Sequence, residues 1–166
     1  MKENEIRPKE VFEEFLGLAE EDVQTFFSNA PRSVINCPAC EESGDPAFNK
    51  NDFDYALCPA CGTLFVSPRP DADTFSRYYK NAPSVKFWAS NFYRLTADAR
   101  REKLWKPKSK MVWQTLGKYN AKHHHVIDIG GGYGIFAEEM QLLYGKLVTI
   151  IEPGAHFSKI CRSREL

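Results

Sequence analysis

Two pairs of cysteines, each in the form Cys-Pro-Ala-Cys, carry the strongest chemical signal in the sequence. Cys37 and Cys40 form the first pair and Cys58 and Cys61 the second, with residues 41–57 between them. Two C-x2-C pairs at this separation are typical of a site in which four thiolates surround one zinc ion. Because all four ligands are thiolates, no position is left for water or substrate, and we expect a structural zinc in a zinc ribbon.

A second segment, residues 126–139, has the composition of a nucleotide-binding turn. β-Branched residues lead into four glycines around a tyrosine, and helix-forming residues follow. Glycines allow positive φ and close approach to a ligand, and the amides that open a helix favour a polar or anionic group. The candidate cofactor-binding residues are the turn glycines and two acids at the ends of the flanking strands: Asp128, Gly130, Gly131, Gly132, Gly134 and Glu152.

The glycine pattern by itself fits two classes of cofactor. Strand, glycine turn, helix, strand and acid occur in both nicotinamide-binding and S-adenosylmethionine-binding folds, and residues 132–137 also fit G-x-G-x-x-A. Asp128 stands two residues before the first glycine, where dinucleotide-binding strands are usually apolar. This position favours S-adenosylmethionine, with a nicotinamide-dependent oxidoreductase as the less favoured alternative.

On these residues the chain resembles class I S-adenosylmethionine-dependent methyltransferases, whose first motif has the form acid-x-G-x-G-x-G. The resemblance implies that the glycine loop holds the methionine end of the cofactor and that Glu152 accepts hydrogen bonds from the ribose hydroxyls. The cysteines, residues 66–70 and the pair Tyr78 and Tyr79 are similar to the zinc-binding N-terminal module of a subgroup that includes sugar C-methyltransferases and relatives from polysaccharide biosynthesis.

We expect an α/β architecture in four parts. Helical periodicity predicts N-terminal helices in 1–32 and a helical linker or cap in 71–121, and the cysteine spacing predicts the zinc ribbon in 33–70. The resemblance implies the start of a Rossmann-like domain in 122–166. A class I methyltransferase has a seven-stranded sheet, so we expect the N-terminal portion of such an enzyme, truncated after the second strand. The implied reaction is methyl transfer to a sugar or another small metabolite, phosphorylated or not. No catalytic base is assigned, and a catalytically inactive zinc-ribbon scaffold remains an alternative.

Hydrophobic periodicity predicts the elements that position these residues. Residues 10–27 follow the helical period, as one amphipathic helix or as two broken near Gly17. Residues 53–57 and 63–66 are expected to be strands, and Asp71 or Asp73 to cap a short helix. Residues 85–105 are also predicted to be helical, and we expect Pro107 to separate them from a further helix.

Around the glycine turn, the prediction is strand, turn, helix and strand. His123, His124 and His125 are expected in a polar loop before the first strand, since consecutive strand residues point to opposite faces. Gly145 is predicted to end the helix, and residues 147–151 to form a buried parallel strand.

The helical region carries seven basic residues between 94 and 110 and three aromatic residues at 88, 92 and 93. We expect the basic residues to form a solvated helix face; the alternative is an electropositive lip that attracts an anionic substrate. The aromatic residues are predicted to be core, with stacking on a substrate as the alternative.

The overall composition excludes several classes of partner. Lys and Arg number 22, as do Asp and Glu, so no net charge selects nucleic acid or an anionic membrane. Residues 41–57 hold one lysine against five acids, a poor surface for phosphates. The charged N-terminus, residues 1–5, is followed by no apolar signal core, and no run is long enough to span a membrane. We expect a cytoplasmic protein whose five cysteines are reduced or metal-bound.

Overall fold

The computed structural model describes residues 3–166 as a mixed α/β protein with helices and small sheets. Met1 and Lys2, at the start of the predicted charged N-terminus, lie outside the described residues. The α-helices are α1 (Glu3–Ile6), α2 (Lys9–Phe27), α3 (Ala72–Asn81), α4 (Pro83–Phe87), α5 (Tyr93–Arg100), α6 (Lys106–Lys118), α7 (Ile135–Tyr144) and α8 (Ala155–Ser163). The strands are β1 (Arg32–Ser33), β2 (Asp45–Lys50), β3 (Phe53–Leu57), β4 (Leu64–Val66), β5 (Arg69–Pro70), β6 (Val126–Ile129) and β7 (Val148–Ile151).

The chain divides into two compact units, which are described separately. One unit is Gly17–Pro83, and the other combines the chain up to Leu16 with Ser84–Leu166. Helix α2 continues through Gly17 without a break, so the prediction of a single helix is the correct one of the two.

The unit Gly17–Pro83 is built on an antiparallel sheet of order β2-β3-β4. The predicted strands at 53–57 and 63–66 are confirmed as β3 and β4, which pair with Tyr55 opposite Val66. A small core of Cys37, Ala56, Cys58 and Phe65 lies beside this sheet. The presumed metal ligands are therefore part of the packing of the unit.

A second cluster in this unit surrounds Phe27, whose side chain is almost fully buried. The ring centroids of Phe53, Phe75 and Tyr78 each lie 5.3 Å from that of Phe27. The helix that supplies Phe75 and Tyr78 begins at an N-cap, because the carboxylate of Asp71 accepts the backbone N–H of Thr74 at 2.8 Å. Of the two capping residues predicted, the structure uses Asp71.

In the second unit, helical backbone continues from Ser84 to Lys118. Two stretches of this segment, Trp88–Phe92 and Arg101–Trp105, have π-helical hydrogen bonding. The expectation that Pro107 separates two helices is wrong. Pro107 lies in the first turn of α6, where its missing N–H removes little hydrogen bonding, so the helix changes type there without a break.

The core of the second unit combines the helical segment with the residues around the glycine turn. Ala89, Tyr93, Ile135 and Phe157 form one buried cluster, against which Trp88 packs. The prediction that the aromatic residues belong to the core is confirmed.

Strands β6 and β7 are parallel, with Val126 opposite Val148 and Ile129 opposite Ile151, and α7 lies between them in sequence. Gly145 ends α7 as predicted, with φ of +61° and its N–H bonded to the carbonyl of Gln141 at 2.9 Å. A single β-α-β unit is common to many α/β folds, so the Rossmann-like domain stays a prediction.

The predicted parallel strand at 147–151 is confirmed as β7, but the expectation that this strand is buried is wrong. Leu147 is 68% exposed and Ile151 51% exposed, because burial alternates along β7 and one face of the two-stranded sheet is open to solvent among the described residues. Within residues 3–166, no helix has the length and apolar character that a membrane span requires.

Candidate metal centre and glycine-loop site

The two Cys-Pro-Ala-Cys segments fold into the same tight turn. In each, the residue after the second cysteine donates its N–H to the carbonyl of the first cysteine: Glu41 to Cys37 and Gly62 to Cys58, both at 2.9 Å. Both donors have left-handed backbone, with φ of +65° at Glu41 and +71° at Gly62. Glu41 in the first turn thus has the same left-handed backbone conformation as Gly62 in the second turn, so the two turns are equivalent.

These turns bring all four cysteine sulfurs together. The closest Sγ–Sγ distances are 3.4 Å for Cys40 to Cys61, 3.5 Å for Cys40 to Cys58 and 3.6 Å for Cys37 to Cys61. All four sulfurs lie within 4.8 Å of one another. Tetrahedral zinc with Zn–S bonds of about 2.3 Å requires sulfurs about 3.8 Å apart. The four cysteines therefore lie close enough to hold a metal ion such as zinc.

The surroundings lower the pKa of two of the cysteine thiols, Cys37 and Cys61, and raise that of Cys40. The hydroxyl of Thr63, 3.1 Å from the sulfur of Cys61, lowers the pKa of that thiol to about 6. Burial opposes ionisation of Cys37, but backbone amides of its own turn lower its pKa overall. The amide of Glu42 favours the thiolate of Cys40, yet the neighbouring cysteine sulfurs raise its pKa to about 12. Negative charge thus concentrates on part of the cluster, and a bound cation would allow the remaining thiols to ionise.

The glycine turn after β6 has the backbone that the sequence predicted for a ligand loop. Gly130, Gly132 and Gly134 all have left-handed φ, of +75°, +54° and +73°. The turn is closed by two backbone bonds, from Gly130 N–H to the carbonyl of Ile151 at 2.8 Å and from Gly134 N–H to the carbonyl of Gly131 at 3.0 Å. The loop is therefore anchored to the end of the neighbouring strand.

Both carboxylate oxygens of Glu152 accept backbone N–H groups, and one of these groups belongs to the loop. Its Oε2 accepts the N–H of Gly132 at 2.8 Å, and its Oε1 accepts the N–H of Gly154 at 2.7 Å. These two bonds fix the orientation of the carboxylate at the carboxyl end of β7. The predicted pair of loop glycine and acid is thus in direct contact.

Asp128 lies beside the same loop. A Cβ atom added to Gly131 would stand 2.9 Å from Oδ2 of Asp128 and 2.8 Å from Cγ2 of Ile150, so only glycine fits there without a shift. Burial, and then the negative charge of Glu152, raise the pKa of Asp128. All six predicted cofactor-binding residues are therefore brought together at one end of the parallel strand pair.

Three residues that the sequence motifs did not indicate also contact the loop. The thiol of Cys161 donates to the carbonyl of Gly132 at 3.2 Å, and Arg164 donates to the carbonyl of Tyr133 at 3.0 Å. The ring of Tyr93 stacks on that of Tyr133, with centroids 5.2 Å apart and an interplanar angle of 17°. Helical periodicity marked Tyr93 as core, but no local pattern indicated that it faces the loop.

Three of the seven basic residues of the helical segment form ion pairs with acids. Arg101 pairs with Glu138 and Glu139. Lys103 pairs with Glu5, and Lys106 with Glu102. The expectation of a solvated helix face is wrong for Arg101, which is 21% exposed, because α7 supplies two carboxylates that bind it.

The predicted polar loop of histidines is confirmed, since His123 and His124 lie in a turn before β6. His125 hydrogen-bonds the hydroxyl of Thr149 at 2.9 Å, and no metal-binding group among residues 3–166 includes a histidine.

The described chain thus holds two candidate sites, a cluster of four cysteines and a glycine loop with two acids. The chain matches no family model, no curated protein and no solved structure.

Proposed function

We propose that the chain carries the S-adenosylmethionine-binding segment of a methyltransferase that acts on a sugar or another small metabolite. The observation that carries the proposal is the carboxylate of Glu152, held by the amides of Gly132 and Gly154 at 2.8 and 2.7 Å. An ionised carboxylate has about four acceptor sites, so two amide bonds leave capacity for two further hydroxyl donors. A ribose offers two neighbouring hydroxyls, and Glu152 is oriented in advance to accept both.

The charge of the loop supports S-adenosylmethionine over a dinucleotide. Asp128 and Glu152 place two carboxyl groups beside the loop, and each disfavours a second negative charge close by. S-Adenosylmethionine carries a sulfonium and an ammonium group, whereas a nicotinamide dinucleotide would bring a pyrophosphate to the same amides. The acids therefore attract the first ligand and repel the second.

The four cysteines are proposed to bind a structural zinc ion. Cys37 and Cys58 are each 1% exposed and form half of the small core that includes Ala56 and Phe65. A core of this size buries too little apolar surface to hold a fold alone, and metal binding would supply the missing stability. Four thiolates close the coordination shell, so this metal would not take part in methyl transfer.

Titration calorimetry on the intact chain tests the cofactor assignment. We expect S-adenosylhomocysteine to bind and NAD not to bind. Glu152→Gln should weaken S-adenosylhomocysteine binding about tenfold or more, because the amide side chain loses acceptor capacity and turns an NH₂ group toward donors. Glu14→Gln, on the exposed face of α2, is the matched control and should bind as the wild type does.

Two results would overturn the assignment. A folded, metal-loaded chain that binds neither ligand would favour the scaffold alternative. Preferential binding of NAD would favour an oxidoreductase.

A further inference from the structure

Tyr93, which lies in the segment predicted to be a linker, reaches the glycine loop. Its side chain is 8% exposed, and its hydroxyl oxygen lies 3.9 Å from the point where a Cβ atom on Gly132 would stand. The ring is held between Tyr133, stacked at 5.2 Å, and Phe157, whose ring meets it edge-on at 6.0 Å. The position of the hydroxyl beside Gly132 is thus fixed by packing on both sides.

The electrostatic surroundings keep this hydroxyl available as a hydrogen-bond donor. Burial raises the pKa of Tyr93, so the phenol stays protonated at neutral pH. The guanidinium of Arg100 lies 5.0 Å from the ring centroid and favours ionisation, while the carboxylates of Asp128 and Glu152 oppose it. The two acids raise the pKa of Tyr93 because they lie beside the same glycine loop as its hydroxyl group.

The helix that carries Tyr93 is irregular on both sides. The π-helical turn Trp88–Phe92 ends immediately before Tyr93, and a second one, Arg101–Trp105, begins immediately after Arg100. A π turn contains an extra residue and rotates the following residues about the helix axis; such turns are frequent at functional sites. Here the first of them sets the direction in which Tyr93 leaves the helix.

We propose that Tyr93 is a ligand-contacting residue of the glycine-loop site, whose hydroxyl donates a hydrogen bond to the carboxylate of an amino-acid group lying along Gly132. The inference rests on the proposed function, which places the methionine end of S-adenosylmethionine in this loop. The charges of that group match the surroundings, since the ammonium would lie nearest Asp128 and the carboxylate beside a phenol donor, while Glu152 is left for the ribose hydroxyls.

Two ligands that differ only in the amino-acid group test this assignment. S-Adenosylhomocysteine contains the group, and 5′-methylthioadenosine lacks it. Tyr93→Phe keeps the stacked ring and removes the hydroxyl, so its affinity for S-adenosylhomocysteine should fall about tenfold or more, the range expected for one hydrogen bond to a charged group. Its affinity for 5′-methylthioadenosine should stay within about twofold of the wild type.

Tyr144→Phe is the matched control, because Tyr144 is also stacked, on Trp113 at 5.0 Å and 14°, but lies at the end of α7 away from the loop. Equal loss of affinity for both ligands in Tyr93→Phe would overturn the inference, because it would indicate a structural role. Unchanged affinity of Tyr93→Phe for S-adenosylhomocysteine would overturn this inference only, and the proposed function would still stand. Absence of binding by the wild-type chain would overturn the proposed function and this inference together.

Discussion

Arg101 forms an ion pair with Glu139, a carboxylate whose side chain is only 2% exposed. The same guanidinium also pairs with Glu138, so one arginine from the π-helical turn binds two adjacent acids of α7. Helix α7 begins directly after the glycine loop. The pair therefore ties the helical segment that carries Tyr93 to the element that carries the loop.

Removing this arginine should destabilise the protein strongly. Arg101→Met leaves the buried carboxylate of Glu139 without its partner, which typically costs about 3–5 kcal/mol. Lys106→Met is the matched control, since Lys106 pairs with Glu102 in an exposed position, where a pair contributes less than about 1 kcal/mol. Urea unfolding of both variants measures the difference. Equal and small losses in the two variants would contradict a buried role for Arg101.

The cysteine cluster predicts how metal content responds to substitution. Cys58→Ser removes a buried ligand, so the variant should lose most of its zinc and unfold at a lower temperature. Cys161→Ser is the control, because Cys161 is also a buried free cysteine but lies outside the cluster. Elemental analysis should find about one zinc per wild-type chain and per Cys161→Ser chain. Retention of zinc by Cys58→Ser would contradict the assignment of the four ligands.

The sequence predicted local structure well where the spacing of cysteines, glycines and acids along the chain is typical of a known kind of site or turn. The two C-x2-C pairs predicted sulfurs that do lie together, and Gly145 predicted the end of α7. Asp128, the glycines and Glu152 were predicted to share a site from the order of strand, glycine turn, helix, strand and acid, and the structure brings them together.

Features that depend on tertiary contacts could not be predicted in this way. No residue type in the sequence marks the π-helical turns, so nothing indicated that Tyr93 lies beside Gly132. The partners of Arg101 lie 37 and 38 residues away on α7, and its burial follows from packing. Pro107 was expected to break a helix, but a proline in the first turn of a helix is tolerated.

The raised pKa of Asp128 predicts a pH-dependent stability. Burial and the charge of Glu152 raise this pKa above the ordinary 3.8. The folded state then holds its proton more tightly than the unfolded state, so the contribution of Asp128 to stability is greatest below about pH 4 and is lost as the pH rises through the shifted pKa. Asp128→Asn removes the charge, and its melting temperature should exceed that of the wild type at pH 7 but not near pH 3.

Asp98→Asn, on an exposed position of α5, is the control and should show no such difference. The same Asp128→Asn variant should bind S-adenosylhomocysteine more weakly, since a loop acid would be lost. A variant that gains stability and loses affinity would identify Asp128 as a residue retained for binding. Lower stability at pH 7 would contradict the unfavourable ionisation on which this prediction depends.

Gly134 and Gly17 should respond to alanine in opposite directions. Gly134 has φ of +73°, and an added Cβ would lie 2.9 Å from Leu166 and 3.1 Å from the sulfur of Cys161. A left-handed backbone alone costs a non-glycine residue about 1–2 kcal/mol. Because the close contacts add to this cost, Gly134→Ala should destabilise the chain by more than that amount. Gly17 lies inside α2 with no atom within 4 Å of its Cβ position, so Gly17→Ala should stabilise the chain by about 0.5–1 kcal/mol. Urea unfolding measures both, and a neutral Gly134→Ala would show that the loop relaxes to another backbone conformation.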